Sequence, residues 1–280
     1  MSPTWQSEDM PDTLPIGPLG GLRAVLRGLA LALVLGAGVL VKLALRLAEL
    51  PFHGASRPWS GWVTVAVCRT ALGLLGIRLA TKGTPMRERG AFVANHSSWV
   101  DIFVLNAGTP LFFVSKAEVA GWPGIGWLAR MTGTVFVRRD RREAAQQRAM
   151  LEDRMALGHR LLFFPEGTST DGQRILPFKP TLFAALMSDR VPTAHLQPVT
   201  VVYTAPEGAD PRFYGWWGDM GFGPHLVQLL AAPGKGRVKV TWHAPLPVSH
   251  FADRKALAQE AEAMVRSSHP LGRASSSPAA

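Results

Sequence analysis

Ala91-Phe92-Val93-Ala94-Asn95-His96-Ser97-Ser98-Trp99-Val100-Asp101 is a short apolar run that breaks into a polar turn and then into a helical segment. A continuous apolar run of this length fits a strand buried on both faces, the kind found in parallel sheets covered by helices. A strand that runs into a histidine and then a helix start places the imidazole at the sheet's C-terminal edge, where ligands gather in α/β folds. Working outward, Leu111–Ser115, Thr134–Arg138, Leu161–Phe164, Pro198–Tyr203 and Arg237–Trp242 read as further strands. Helices are expected at Trp99–Ala107, Arg141–Leu157, Thr181–Ser188 and Asp253–Arg266. The Arg141 helix carries Asp140 as N-cap, Glu143 three residues on, and Gly158 to close it. Strands alternating with helices imply an α/β layered domain over residues 81–266, with a mixed sheet flanked by helices.

The chain has 280 residues, one cysteine and a formal net charge of +10, and 47% of it is apolar. That length buries a substantial core, and the apolar share excludes disorder throughout. Cys68, standing alone, excludes an internal disulfide framework and a Cys-rich zinc site. Only 18% of residues are charged, yet lysine and arginine exceed the acids by ten. Apolar and basic together fit an anionic membrane surface better than a nucleic-acid groove, so nucleic acid is not an expected partner.

Residues 1–20 hold four prolines and read as a flexible leader, and 267–280 as a Ser/Ala/Pro-rich disordered tail. Residues 21–80 read as membrane-associated helices. The uncharged run Gly28–Val41 inside Leu22–Leu50 is shorter than the ~20 residues that span a bilayer, unless Arg23, Arg27, Lys42 and Arg46 snorkel. A membrane-embedded helix, spanning or re-entrant, is expected there. A buried core helix is the plainer alternative, and a secretory signal fits less well, because no small-x-small cleavage site follows the run. The second apolar stretch, Trp59–Leu79, carries Trp59, Trp62, Arg69 and Arg78 and suits a helix in the headgroup layer, and only slightly less well an amphipathic core helix. Pro51 and the Pro58 region are expected to separate the two arms of a membrane-attached hairpin.

Three polar turns follow predicted strands. In the first, His96 and Asp101 are five residues apart, about 140° around a continuous helix. The two meet only if His96 stays in the loop, with Ser97 or Ser98 capping the helix. Asp101 then accepts a hydrogen bond from one ring nitrogen and leaves the other as a base; a pair that merely tidies the loop explains the spacing as well. In the second, Gly133-Thr134-Val135-Phe136-Val137-Arg138-Arg139 ends in arginines, and Arg139 at a strand exit suits an anion clamp. Arg141 and Arg142 fit a solvated helix start. In the third, Phe163-Phe164-Pro165-Glu166-Gly167-Thr168-Ser169-Thr170-Asp171-Gly172 sets a carboxylate and two hydroxyls at the sheet edge. Three such turns at three strand exits favour one assembled site over three accidents.

Other classes fit poorly. No G-x-S-x-G elbow exists for a serine hydrolase. His159 and His195 sit in contexts that do not complete a metal site around His96 and Asp101, so no metal is expected. Gly124-Ile125-Gly126-Trp127-Leu128-Ala129 imitates a dinucleotide fingerprint but follows no convincing strand. His225 and His243 read as structural. A non-catalytic basic membrane-binding module explains the charge and the apolar N-terminus, though not the three turns.

Asn95 with His96 and Asp101 in an H-x-x-x-x-D frame, then Gly133 to Arg139, then Phe164-Pro165-Glu166-Gly167-Thr168, resemble in content and order the blocks of the lysophosphatidate (glycerolipid) acyltransferase family. The match runs from about Phe92 to Tyr203. Gln197-Pro198-Val199 is similar to the family's fourth block, and Lys116 to a lysine after its second strand. The resemblance implies an O-acyltransferase that moves a fatty acyl group from an acyl-carrier-protein or coenzyme A thioester to a membrane lysolipid, with no other cofactor. It implies His96 as general base, Asp101 as its support, and acceptor binding by Asn95, Lys116, Arg139, Glu166, Gly167, Thr168, Ser169 and Lys179. A backbone N–H of the Asn95–Ser98 turn is a candidate oxyanion donor. A bacterial inner-membrane location, catalytic domain on the cytoplasmic side, also follows from the family. Two positions depart from the lysophosphatidate pattern: Arg138 stands where aspartate is common, and Ser169 where arginine is common. The string Glu166 to Gly172, Leu176-Pro177-Phe178-Lys179, Trp216-Trp217-Gly218-Asp219-Met220 and Pro224-His225 look more like the branch that acylates lyso-ornithine lipid.

Overall fold

The computed structural model describes residues 5–7, 10–11, 13, 15–138 and 140–270. The expected tail therefore lies mainly outside the described residues, as does Arg139. The chain opens with α1 (Pro18–His53) and α2 (Ser60–Leu74), then β1 (Ile77–Lys82), β2 (Gly90–Ala94), α3 (Asp101–Asn106) and β3 (Phe112–Lys116). It continues through α4 (Ile125–Thr132), β4 (Val135–Val137), α5 (Ala144–Ala156), β5 (Leu161–Phe163) and β6 (His195–Thr204). It closes with α6 (Phe222–Ala231), β7 (Gly236–Trp242), β8 (Leu246–Pro247) and α7 (Arg254–Ser267).

The strands form one mixed sheet in the order β1-β7-β6-β2-β5-β3-β4, with β8 on β6. Strands β6, β2, β5, β3 and β4 are mutually parallel. Strand β7 runs antiparallel to β6, and β1 parallel to β7. All five residues of β2 are buried, as its unbroken apolar run requires of a central strand covered on both faces. One apolar cluster, including Phe92, Leu105, Val199 and Trp242, packs beneath α2 and α3; a second, including Val93, Leu161, Phe183 and Leu257, packs beneath α5 and α7. The parallel arrangement has one consequence for function. The turns after β2 and β5 and the ends of β3, β4 and β6 all leave the sheet from the same edge.

The expected α/β layered fold is present, with local differences. Trp59–Leu79 is not one helix: α2 stops at Leu74, Gly76 takes φ 72°, and β1 begins at Ile77, adding a strand the apolar run concealed. Pro51 does not break α1 but sits in its last turns, and the chain turns at Gly54, with φ 50°. Thr181–Ser188 forms only a 3-10 turn, Leu182–Ala185. The capping box at Asp140 does not close. The Glu143 carboxylate pairs with Arg138 at 3.2 Å, and residues Arg141–Glu143 form a 3-10 turn before α5 begins. Gly158 does close α5, at φ 81°, and Asp253 caps α7 through the N–H groups of Lys255 and Ala256. Helices α4 and α6 had no expected counterpart; α4 occupies the stretch that imitates a dinucleotide fingerprint.

Helix α1 is 36 residues long, about 54 Å at 1.5 Å per residue. Its basic residues do not snorkel outward as expected; three of them turn onto the protein. Arg23 donates to the Ala231 carbonyl at 2.6 Å, and Arg27 to those of Leu230 and Ala232 at 3.1 and 3.0 Å. Lys42 donates to Thr64 Oγ1 at 2.6 Å. Glu49 accepts from the N–H groups of Trp59 and Ser60, holding the start of α2 against the end of α1. The opposite face of α1 presents Leu19, Leu22, Leu26, Leu29, Leu33, Leu40, Leu43, Leu47 and Leu50, all exposed. An 18-residue window in this helix has a mean hydropathy of 2.3, apolar enough to cross a membrane.

Candidate active site

The turn after β2 is organised by one carboxylate. Asp101 opens α3, is fully buried, and points back along the chain. Its Oδ2 accepts from the N–H of Ser97 at 2.8 Å, the N–H of Ser98 at 3.0 Å and His96 Nδ1 at 2.8 Å. Its Oδ1 accepts from the Tyr203 hydroxyl at 2.6 Å. The loop before the helix thus folds back as the spacing requires. Ser98 Oγ accepts from the N–H of Val100 at 3.3 Å, a contact in the turn rather than a helix cap. Since a carboxylate only accepts, the His96 ring proton lies on Nδ1 and Nε2 keeps its lone pair. The imidazole stacks on Phe164 at 3.9 Å and 12°, and its side chain remains 20% exposed.

Glu166 ties the second turn to the first. Its Oε1 accepts from the N–H of His96 and its Oε2 from that of Leu176, each at 2.7 Å. The residue is 1% exposed. Burial pushes its carboxyl up to about 8, against the pull of the two N–H donors, and the nearby Asp101 adds to the rise. Thr170 reinforces the junction, its N–H and hydroxyl both reaching the His96 carbonyl at 3.0 and 3.3 Å. Gly167 takes φ 74°, which lets its N–H return to the Phe164 carbonyl at 3.1 Å. These contacts also bear on the expected oxyanion donor. The N–H groups of His96, Ser97 and Ser98 are all engaged by the carboxyl groups of Glu166 and Asp101, so the turn's backbone does not offer them to a ligand.

The remaining expected residues fall into place unequally. Asn95 is buried, and its amide bonds Val201 at both ends, Nδ2 to the carbonyl and Oδ1 from the N–H, each at 2.8 Å. It fastens β2 to β6. Thr168 and Ser169 are buried beside the Glu166 turn, and Thr168 Oγ1 accepts from the N–H of Trp5 at 3.3 Å. Lys116 ends β3 on the same sheet edge. The N–H of Lys179 bonds the Pro165 carbonyl at 2.9 Å, which folds the segment after the turn back onto it. Among the described residues no group of three His, Cys, Asp or Glu is placed to hold a metal.

Two features were not legible in the motifs. Tyr203, one of only two tyrosines in the chain, reaches Asp101 from the C-terminal end of β6, and burial with the Asp101 charge raises its hydroxyl well above the ordinary value. Trp5, from the leader, lies 4.8 Å under the Arg174 guanidinium and 5.9 Å from Trp217, while Arg174 pairs with Asp171 at 3.0 Å. A tyrosine at a strand exit was the available signal for the first. An isolated tryptophan among prolines gave none for the second.

The sequence and the fold are both similar to those of known proteins. A family model described as Acyltransferase matches residues 79–202. The chain is 56% identical over 268 residues to a lyso-ornithine lipid O-acyltransferase of Rhodobacter capsulatus, covering 95% of this chain and 96% of that one. It is 35% identical over 249 residues to a protein of the same name from Brucella abortus, covering 84% and 91%. In fold it is similar to the crystal structure of the 1-acyl-sn-glycerophosphate (LPA) acyltransferase PlsC from Thermotoga maritima, with a TM-score of 0.60 at 17% identity over 89% of this chain and 97% of that one.

Proposed function

The chain belongs to the lysophosphatidate-type acyltransferase family, and within it we propose that the acyl acceptor is lyso-ornithine lipid. It is an O-acyltransferase of membrane lipid biosynthesis; the choice of acceptor rests on the 56% identity to a protein of that name. Ser169 supports it, since an ornithine headgroup has no phosphate for an arginine at that place to bind.

The mechanism we infer rests on one observation, the 2.8 Å bond from His96 Nδ1 to a fully buried Asp101. Nε2 takes the proton of the acceptor hydroxyl as its oxygen attacks the thioester carbonyl. The C–O bond forms, the C–S bond breaks, and the proton passes from the imidazolium to the departing thiolate. Asp101 holds the tautomer and balances the imidazolium. No acyl-enzyme is required. Glu166 and Asn95 position the two turns, while Lys116, Arg139, Thr168, Ser169 and Lys179 supply the acceptor side. Helix α1, fastened to the body on one face and leucine-lined on the other, supports membrane attachment, and from the family resemblance we infer the inner membrane, with the His96 edge on the cytoplasmic side beside the thioester donor.

The test is acyl transfer by the purified, detergent-solubilised protein. Labelled acyl-carrier-protein thioester or acyl coenzyme A is offered with lyso-ornithine lipid or lysophosphatidate, beside His96→Ala. Product from lyso-ornithine lipid alone, absent in the variant, is the expected result. Product from lysophosphatidate alone would overturn the acceptor, and a fully active His96→Ala would overturn the mechanism.

A further inference from the structure

The sheet edge opposite His96 carries a second cluster of polar groups. There the starts of β3 and β5 meet the tip of the α1–α2 hairpin, and β3 alone separates the two edges by about 16 Å at 3.3 Å per residue. Arg57, in the hairpin connection, has φ 51° and is the only residue other than glycine at positive φ among the described residues. L-residues avoid that conformation, and its presence points from an outlier to a use. The Arg57 side chain is partly buried, with Nε enclosed and without a hydrogen-bond partner.

Other cations stand around it. Lys42 is 7% exposed and turns inward to Thr64. Arg154 donates from Nη2 to the Gly133 carbonyl at 2.8 Å and lies 4.8 Å over the Phe112 ring, and its Nε is also enclosed and unpartnered. A β-carbon at Gly133 would meet Arg57 Nη1 at 3.0 Å, so both guanidinium groups converge on that glycine. Lys42, Arg57, Ser60, Thr64 and Thr132 line one pocket with Gly61 of α2. The nearby carboxylate, Glu49, is already held by Arg46 at 3.3 Å and by the N–H groups of Trp59 and Ser60. Burial and the neighbouring Arg57 push the Arg154 guanidinium down to about 10. Cations gathered around a partly exposed guanidinium call for an oxyanion that accepts from its planar fork.

The surroundings indicate where that anion comes from. Phe52, Trp59 and Trp62 are exposed around the hairpin connection, within a few residues of Arg57. Tryptophans next to cations mark the headgroup level of a bilayer. We propose that Lys42, Arg57 and Arg154 form a phosphate-binding site, separate from the acyl-transfer site, that takes the headgroup phosphate of a membrane phospholipid.

The full chain in a maltoside detergent tests this through its thermal midpoint, since a ligand that binds only the folded state raises it. Phosphatidylglycerol in mixed micelles is compared with an uncharged glycolipid, and inorganic phosphate with chloride at equal ionic strength. Arg57→Gly removes the guanidinium and relieves the backbone, so it folds; Lys239→Gln, on the exposed face of β7, removes one charge elsewhere. Phosphatidylglycerol is expected to raise the midpoint of the wild type and of Lys239→Gln and to leave Arg57→Gly unmoved, with Arg57→Lys between. Acyl transfer by Arg57→Gly in detergent stays at the wild-type rate, which separates this site from the acceptor reading. An equal rise with inorganic phosphate, lost in Arg57→Gly, keeps the phosphate site and overturns the lipid source. No rise with either, or a full rise in Arg57→Gly, overturns the site.

Discussion

Asp101 accepts four hydrogen bonds, and each donor makes a different demand on it. The two backbone N–H groups fix where the carboxylate lies, His96 uses its charge, and Tyr203 fills the oxygen that faces β6. Removing the base by His96→Ala is expected to lower kcat roughly 10²–10⁴-fold, the usual worth of a positioned general base, with the thermal midpoint little changed. Tyr203→Phe keeps the ring and leaves a buried carboxylate oxygen unfilled, a loss of about 1–3 kcal/mol in stability that denaturant titration would read. Glu166 gives a pH signature. Its folded carboxyl is raised to about 8 from 4.5, so between those values the native state holds a proton that the unfolded chain has released. Stability from this group therefore falls as pH rises through that window. The midpoint of the wild type is expected to decline from pH 5 to 8 relative to Glu166→Gln, which carries no such proton; parallel curves would show that Glu166 does not titrate there. The His96–Asp101 contact was legible because it is local, five residues with a turn forced between them. Tyr203 was not, because it lies 102 residues away and only the pairing of β6 with β2 brings it near.

Elements were legible where composition and period agreed, and obscured where they did not. The buried run of β2 and the Asp253 cap of α7 follow directly from residue type. The stretch after Leu74 is apolar in both conformations, and only Gly76 at positive φ divides helix from strand. Pro51 misleads for a related reason: in the last turns of a helix it removes one N–H bond without ending the chain's course. Helix α1 carries the element-scale prediction. Leu33 and Leu40 are 74% and 69% exposed on a face with no described neighbour to bury them. Replacing both by aspartate withdraws roughly 3–6 kcal/mol of apolar transfer, before any cost of the charges. Leu33→Asp/Leu40→Asp is expected to move the protein from the membrane pellet to the supernatant at an unchanged midpoint in detergent. Loss of folding instead would mean that the face packs on protein.

At the scale of the whole molecule the site is a product of topology. Five parallel strands point their C-terminal ends one way, so turns distant in sequence share one edge, and Glu166 locks two of them together through the His96 N–H. The N-terminal segment closes this assembly from outside. Trp5 bonds Thr168 through its N–H, lies under Arg174 and meets Trp217, while Gln6 Nε2 donates to Asp219 at 3.4 Å. Four points of the chain from residue 5 to residue 219 therefore converge over the loop that follows Glu166. A tilted aromatic pair and a cation–π contact at a partly exposed site together contribute about 1–2.5 kcal/mol. If that energy orders the loop around Thr168 and Ser169, Trp5→Ala weakens acceptor binding and leaves the His96 chemistry alone. The expected outcome is a rise in KM for the lysolipid of up to about tenfold, the equivalent of 1.4 kcal/mol, at a nearly constant kcat and an unchanged KM for the thioester. A fall in kcat with both KM values constant would place Trp5 in support of the base instead, through the Thr170 contacts to the His96 carbonyl.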